Sequence, residues 1–220
     1  ISGGARFCYP DFMAPPGTHI LYDRSSARPR PWRGLVAEAY RWLCIGALKA
    51  GGWKIEGDWP DDPRMVLVAA PHTSNWDGIW MLAAASYWRV TLRYMGKKSL
   101  TEGPFGWLVK WSGCIPVDRT RSNDLVGQMK AVFAATPGLL LAVPPEGTRG
   151  KVEKWKSGFY HIAVGAGVPI VLSVLDYGSK TVRISGALWP TGDYLADFPL
   201  IASHYATATG KMPGDFTLAA

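Results

Sequence analysis

Cysteine is scarce: Cys8, Cys44 and Cys114 are the three in 220 residues. They are too few and too scattered for a disulfide framework or a zinc site, which points to buried free thiols in a reducing compartment. No run of 18 or more uncharged apolar residues occurs, which argues against a transmembrane span. Nothing at the start reads as a signal peptide, and an opening Ile1 in place of Met leaves room for a preceding segment. No Gly-x-Ser-x-Gly elbow is present, so a serine nucleophile of that kind is not expected. Acidic residues are the minority, 17 against 24 Lys and Arg, for a formal net charge of +7. That surplus suits an anionic partner or substrate: nucleic acid, a phosphorylated metabolite or a membrane surface. Charge alone does not choose among them. An apolar share of 48% with 19% charged residues excludes a disordered or fibrous chain.

What the chain has in plenty is tryptophan, eleven in all. A large apolar body with one N–H prefers the boundary between oil and water, which tilts the choice toward membranes. Residues 1–31 carry Pro10, Pro15, Pro16, Pro29 and Pro31 among glycines and serines and read as an extended arm. From Trp32 to Ala50 a broad apolar stripe at helical spacing, including Leu35, Val36, Trp42, Leu43 and Leu48, predicts an amphipathic helix ended by Gly51-Gly52. Its apolar face serves either the core or a membrane interface.

Further along, short apolar runs at Met65–Ala70, Val90–Met95, Cys114–Val117, Leu139–Val143, Pro169–Leu175 and Thr181–Ile184 read as buried strands. Helical segments at Trp76–Trp88, Pro104–Trp111, Asn123–Ala135 and Gly158–Ala166 alternate with them. The alternation predicts an α/β fold, one domain with a mostly parallel or mixed central sheet flanked by helices. No repeat, low-complexity run or linker divides residues 32–220. Ligands in such folds gather beyond the strand ends, which directs attention to the loops after Ala70, Met95, Val117 and Val143.

The first of these reads Pro71-His72-Thr73-Ser74-Asn75-Trp76-Asp77-Gly78. Ser74 or Asn75 can cap the next helix and place Asp77 in its first turn. The Asp77 carboxylate can then orient one nitrogen of His72, leaving the other as a proton acceptor near neutral pH. The loop after Val143 reads Pro145-Glu146-Gly147-Thr148-Arg149. Backbone N–H groups, the Thr148 hydroxyl and the Arg149 fork suit phosphate oxygens. Glu146 is out of place beside an anion and is expected to pair with Arg149 or accept a hydroxyl.

Together these segments resemble the glycerolipid acyltransferase family, the lysophosphatidic acid acyltransferases and their relatives. The resemblance rests on His72-x4-Asp77, Gly96-Lys97-Lys98-Ser99-Leu100, Gly113-Cys114-Ile115-Pro116-Val117-Asp118-Arg119, Pro145-Glu146-Gly147-Thr148-Arg149 and Val168-Pro169-Ile170-Val171, in this order over about half the chain. Two departures stand out: Gly150 where the family usually has serine, and Leu172-Ser173 where it usually has a second proline, both assigned to the region that holds the acceptor.

The resemblance implies an acyl group passing from the thioester of acyl-CoA or acyl-carrier protein to a lysolipid hydroxyl, most readily 1-acyl-glycerol-3-phosphate. His72 would be the base and Asp77 its orienting partner. Glu146, Gly147, Thr148, Arg149, Lys97 and Arg119 would hold the acceptor, with Lys97 and Arg119 equally readable as solvated surface. No cofactor or metal is implied, the thioester being a co-substrate.

The implied partners are the acyl donor, the lysophospholipid and a membrane surface, with acyl-carrier protein as one possible donor and no nucleic acid. The expected location is the cytoplasmic face of a membrane, held peripherally. His161 is expected to be a packed histidine and Asp176 a turn residue, and His204 has no partner spacing in the sequence. Lys151, Lys154 and Lys156 with Trp155 read as a solvated or lipid-facing basic patch. Two rival readings remain: a metal-dependent hydrolase gathering His72, Asp77, Glu146 and His161, and a non-catalytic basic membrane-binding module.

Overall fold

The computed structural model describes residues 19–20, 34–117 and 124–220. In chain order the elements are β1 (His19–Ile20), α1 (Leu35–Ala50), β2 (Lys54–Glu56), β3 (Met65–Ala70), α2 (Asn75–Tyr87), β4 (Leu92–Lys97), α3 (Lys98–Glu102), α4 (Gly106–Trp111), β5 (Cys114–Val117), α5 (Leu125–Ala135), β6 (Leu140–Val143), α6 (Gly158–Ala166), β7 (Ile170–Asp176), β8 (Thr181–Leu188) and α7 (Tyr194–Ser203).

The strands form one sheet of order β1-β8-β7-β3-β6-β4-β5, with β2 also paired to β8. From β7 to β5 every pairing is parallel, whereas β8 runs antiparallel to β7. The five parallel strands therefore end along one edge, and that edge carries the functional loops.

The apolar runs are continuous because both faces of the sheet are covered. On one face Val66, Val68, Leu141 and Ile170 pack with Met129 and Phe133 of α5, Phe159 and Ile162 of α6, and Phe198 and Ile201 of α7. On the other, Met65, Leu67, Ala142 and Val171 meet Cys44 and Leu48 of α1 and Met81 and Ala84 of α2. The odd and even residues of β3 thus divide between two cores, as the two-residue period of a strand requires.

The structure departs from the sequence reading at several points. β4 starts at Leu92 and runs on to Lys97, so Lys97 ends a strand and does not sit in a loop. α7 escaped the sequence reading because Pro199 lies inside it. Asp193 nevertheless starts it, accepting the N–H groups of Leu195 and Ala196 at 3.0 and 3.1 Å. Within the arm of residues 1–31, His19 and Ile20 pair with Leu188 and Ala187 of β8. Most of that arm, with Trp32, lies outside the described residues.

Trp155 is 2% exposed, ringed by Phe159, Phe198 and Tyr205, and so cannot face lipid. His161 is exposed, since Phe159, Tyr160, Ile162 and Ala163 take the inward face of α6. His204 bonds Ser185 through Nδ1 at 2.9 Å, at the irregularity where the β7–β8 register shifts. Leu172 and Ser173 are buried within β7, away from the exposed loops.

Candidate active site

His72 leaves the end of β3 and Asp77 enters α2 five residues later, so the local fold sets their relation. Ser74 caps α2 in a reciprocal box with Asp77. Asp77, 2% exposed, accepts the N–H groups of Thr73 and Ser74 on Oδ2 at 2.6 and 2.7 Å. The same oxygen faces His72 Nδ1 at 3.6 Å, an electrostatic contact longer than a hydrogen bond. Its other oxygen, Oδ1, accepts the Tyr177 hydroxyl at 2.7 Å.

Burial holds His72 below the ordinary imidazole value. Asp77 pulls it partly back and the positive charge of Arg149 pushes it down again. The imidazole is thereby biased toward its neutral form, the state a proton acceptor needs.

Glu146 follows β6 and turns inward. It is fully buried, and Oε1 accepts the backbone N–H of His72 at 2.9 Å, while Oε2 has no hydrogen-bond partner among the described residues. The bond expected to Arg149 or to a hydroxyl is replaced by this one, because the parallel pairing of β3 and β6 brings the two loops side by side. Burial pushes the carboxyl up to about 7, opposed by its own N–H and that of His72 and reinforced by the charge of Asp77.

Gly147, Thr148 and Arg149 are exposed beyond it. Gly147 has φ +66 and lies against the Lys156 side chain, which a Cβ there would meet at 2.9 Å. Lys97 is exposed at the end of β4, two strands across from β3, a lateral offset of roughly 10 Å. Arg119 lies outside the described residues.

A cavity of about 760 Å³ opens beside His72, lined among others by Gly78, Met81, Leu92, Ala142, Phe159 and Ile162, with Gly147 and Lys156 also contributing. The sequence reads Lys156 as part of a solvated or lipid-facing patch; its spacing from Glu146 holds no signal, and the turn held by Lys156 N–H to Pro145 at 2.8 Å returns it to the site. The metal set of His72, Asp77, Glu146 and His161 does not assemble. Among the described residues no three His, Cys, Asp or Glu side chains lie close enough to hold a metal ion.

A buried carboxylate behind a histidine, an exposed loop carrying Arg149 and a largely apolar cavity meet at the edge of the parallel sheet. The sequence agrees with the acyltransferases: the model of the Acyltransferase family matches residues 56–174, more than half the chain, and the chain belongs to that family. Among individual proteins it is similar to the 1-acyl-sn-glycerol-3-phosphate acyltransferase of Haemophilus influenzae, 28% identical over 174 residues, covering 70% of this chain and 67% of that one. The enzyme of the same name from Escherichia coli is 30% identical over 143 residues, covering 61% of this chain and 57% of its own. The mouse alpha form is 31% identical over 134 residues, with 56% and 45% covered. The chain thus spans from about half to two thirds of the length of these relatives. In fold it resembles the crystal structure of the 1-acyl-sn-glycerophosphate acyltransferase PlsC of Thermotoga maritima, with TM-score 0.55 and 18% identity over 79% of this chain and 76% of that one.

Proposed function

We propose that the protein transfers a fatty acyl group from acyl-CoA or acyl-carrier protein to the free hydroxyl of 1-acyl-glycerol-3-phosphate, with His72 as general base. The observation that carries this reading is the buried Asp77 carboxylate facing His72 Nδ1 at the wall of the apolar cavity. The acceptor hydroxyl gives its proton to the other imidazole nitrogen while its oxygen bonds the thioester carbonyl carbon. The C–S bond then breaks, and the thiolate takes the proton back. The thioester is already activated, so alignment and proton transfer suffice without a covalent enzyme intermediate. The cavity suits the acyl chain, and Arg149 and Lys156 suit the phosphate.

The test is transfer of labelled acyl groups from each donor to a panel of lysophospholipids and to a phosphate-free alcohol. Arg149→Ala is expected to raise KM for the phosphate acceptor by about 10- to 100-fold, the worth of a charge-assisted bond. KM for the donor and turnover of the alcohol should stay near wild type. An unchanged acceptor KM would remove Arg149 from phosphate binding.

The reading extends to a peripheral position on the cytoplasmic face of a membrane. No described helix is long and apolar enough to cross one. α1 instead leaves Val36 82%, Trp42 63% and Leu43 71% exposed, and α4 leaves Trp107 68% and Trp111 66% exposed. The Tyr40 and Trp111 rings meet at 6.0 Å and join the two helices into one apolar surface, with Lys110 exposed beside it. Such a surface suits the interface of an anionic bilayer. In sedimentation with phosphatidylglycerol-containing vesicles, Trp107→Ser with Trp111→Ser is expected to weaken binding by about tenfold or more. Equal sedimentation of variant and wild type would sink this part.

A further inference from the structure

The geometry points to Tyr177 as a positioning residue that fixes the Asp77 carboxylate toward His72. This deepens the acyl-transfer reading and rests on it for its effect on rate. Asp77 is buried, and a buried carboxylate oxygen without a donor is unfavourable. Two backbone N–H groups occupy Oδ2, and among the described residues the Tyr177 hydroxyl is the one donor to Oδ1, at 2.7 Å. With both oxygens held, the carboxylate cannot turn about its own bond, and Oδ2 stays opposite Nδ1.

Tyr177 is itself fixed from three directions. Its backbone N–H donates to Thr209 at 2.8 Å. Asp176 draws in the N–H groups of Gly178, Ser179 and Thr209 at 3.0, 3.2 and 2.9 Å, which locks the turn after β7. The Tyr177 ring stands edge-on to Trp53, with centroids 4.9 Å apart, and Trp53 follows directly on the Gly51-Gly52 end of α1. The C-terminal segment that carries Thr209 also reaches Thr73, whose hydroxyl accepts Met212 N–H at 3.1 Å. Donors to both carboxylate oxygens thus lean on one segment.

The hydroxyl also bears on proton affinity. A donor on Oδ1 draws negative charge away from the oxygen that faces the imidazole, so its removal favours the imidazolium. The charged and titratable groups around His72 are Asp77 from α2, Glu146 and Arg149 from the loop after β6, Lys156 at the cavity wall and Tyr177 from the β7–β8 turn; Lys211 lies beyond them, its ammonium 5.0 Å from the Trp76 ring centroid. Only one of these changes in Tyr177→Phe, which also keeps the ring on Trp53.

The experiment is NMR titration of the four histidines, with the His72 signal assigned by its loss in His72→Gln, combined with steady-state kinetics of the full chain. In Tyr177→Phe the His72 midpoint is expected to rise by about half a unit or more, and kcat to fall by about tenfold with little change in donor KM. Tyr160→Phe removes a similar bond to Asp197, 2.6 Å long, away from the site, and should leave the His72 titration unchanged. A His72 midpoint equal to wild type in Tyr177→Phe overturns the proposal, as does an equal shift in Tyr160→Phe. A shifted midpoint in Tyr177→Phe, together with a wild-type protein that shows no acyl transfer, would keep Tyr177 in its place and sink the acyl-transfer reading instead.

Discussion

Replacing His72 by alanine is expected to lower acyl transfer by about 10²- to 10⁴-fold, the range of general-base catalysis, while the thermal transition stays near that of wild type. The side chain is half-buried and its backbone N–H, which holds Glu146, survives the substitution. The pH profile supplies an independent reading. The base must be neutral, and burial together with Arg149 holds His72 below the ordinary imidazole value of about 6.5. The acid limb of kcat/KM should therefore bend below that pH, and Arg149→Ala should move the bend upward. Transfer that persists in His72→Ala at wild-type rates would remove His72 as the base.

Glu146→Gln should stabilise the protein above neutrality by on the order of 3 kcal/mol. The Glu146 carboxyl is raised from 4.5 to about 7 in the folded protein. Between those values the native state keeps a proton that the unfolded chain has released. Raising the pH through this window therefore favours unfolding, by about 1.4 kcal/mol per unit for this group. Glutamine keeps an oxygen for the His72 N–H and carries no charge, so the variant should lose this slope. Denaturant melts of both proteins from pH 4 to 9 check it, and parallel stability curves would show that Glu146 ionises freely. A carboxylate buried beneath His72 despite this cost suits a role in positioning its backbone.

Reading the sequence located the parts that depend on near neighbours. β3 and β5 fall at their expected bounds, and α2 within a residue of its own. The His72 and Asp77 arrangement was legible because five residues and a capping serine generate it locally. α6 shows where such reasoning fails: His161 is expected to be packed, yet the helical period that buries Phe159, Tyr160, Ile162 and Ala163 leaves it exposed. Proline hid α7, since Pro199 breaks the usual signature while the Asp193 cap still starts the helix.

Other features answer to no local pattern. Glu146 lies 74 residues from His72 and Tyr177 lies 100 residues from Asp77. Both reach the site because parallel pairing sets the ends of β3, β6 and β7 side by side. Trp155 and Lys156 are adjacent in sequence, yet one enters the core and the other lines the cavity.

By itself the sequence determined the α/β layers, the loops where chemistry could collect and the local cap that brings His72 to Asp77, because short-range periodicity and hydrogen bonding suffice for these. Only the tertiary structure decided that Glu146 turns inward to the His72 backbone, that Tyr177 holds the second oxygen of Asp77 and that the tryptophans divide between core and surface. Those outcomes depend on burial and on contacts between distant strands, which residue order does not encode until the sheet is assembled.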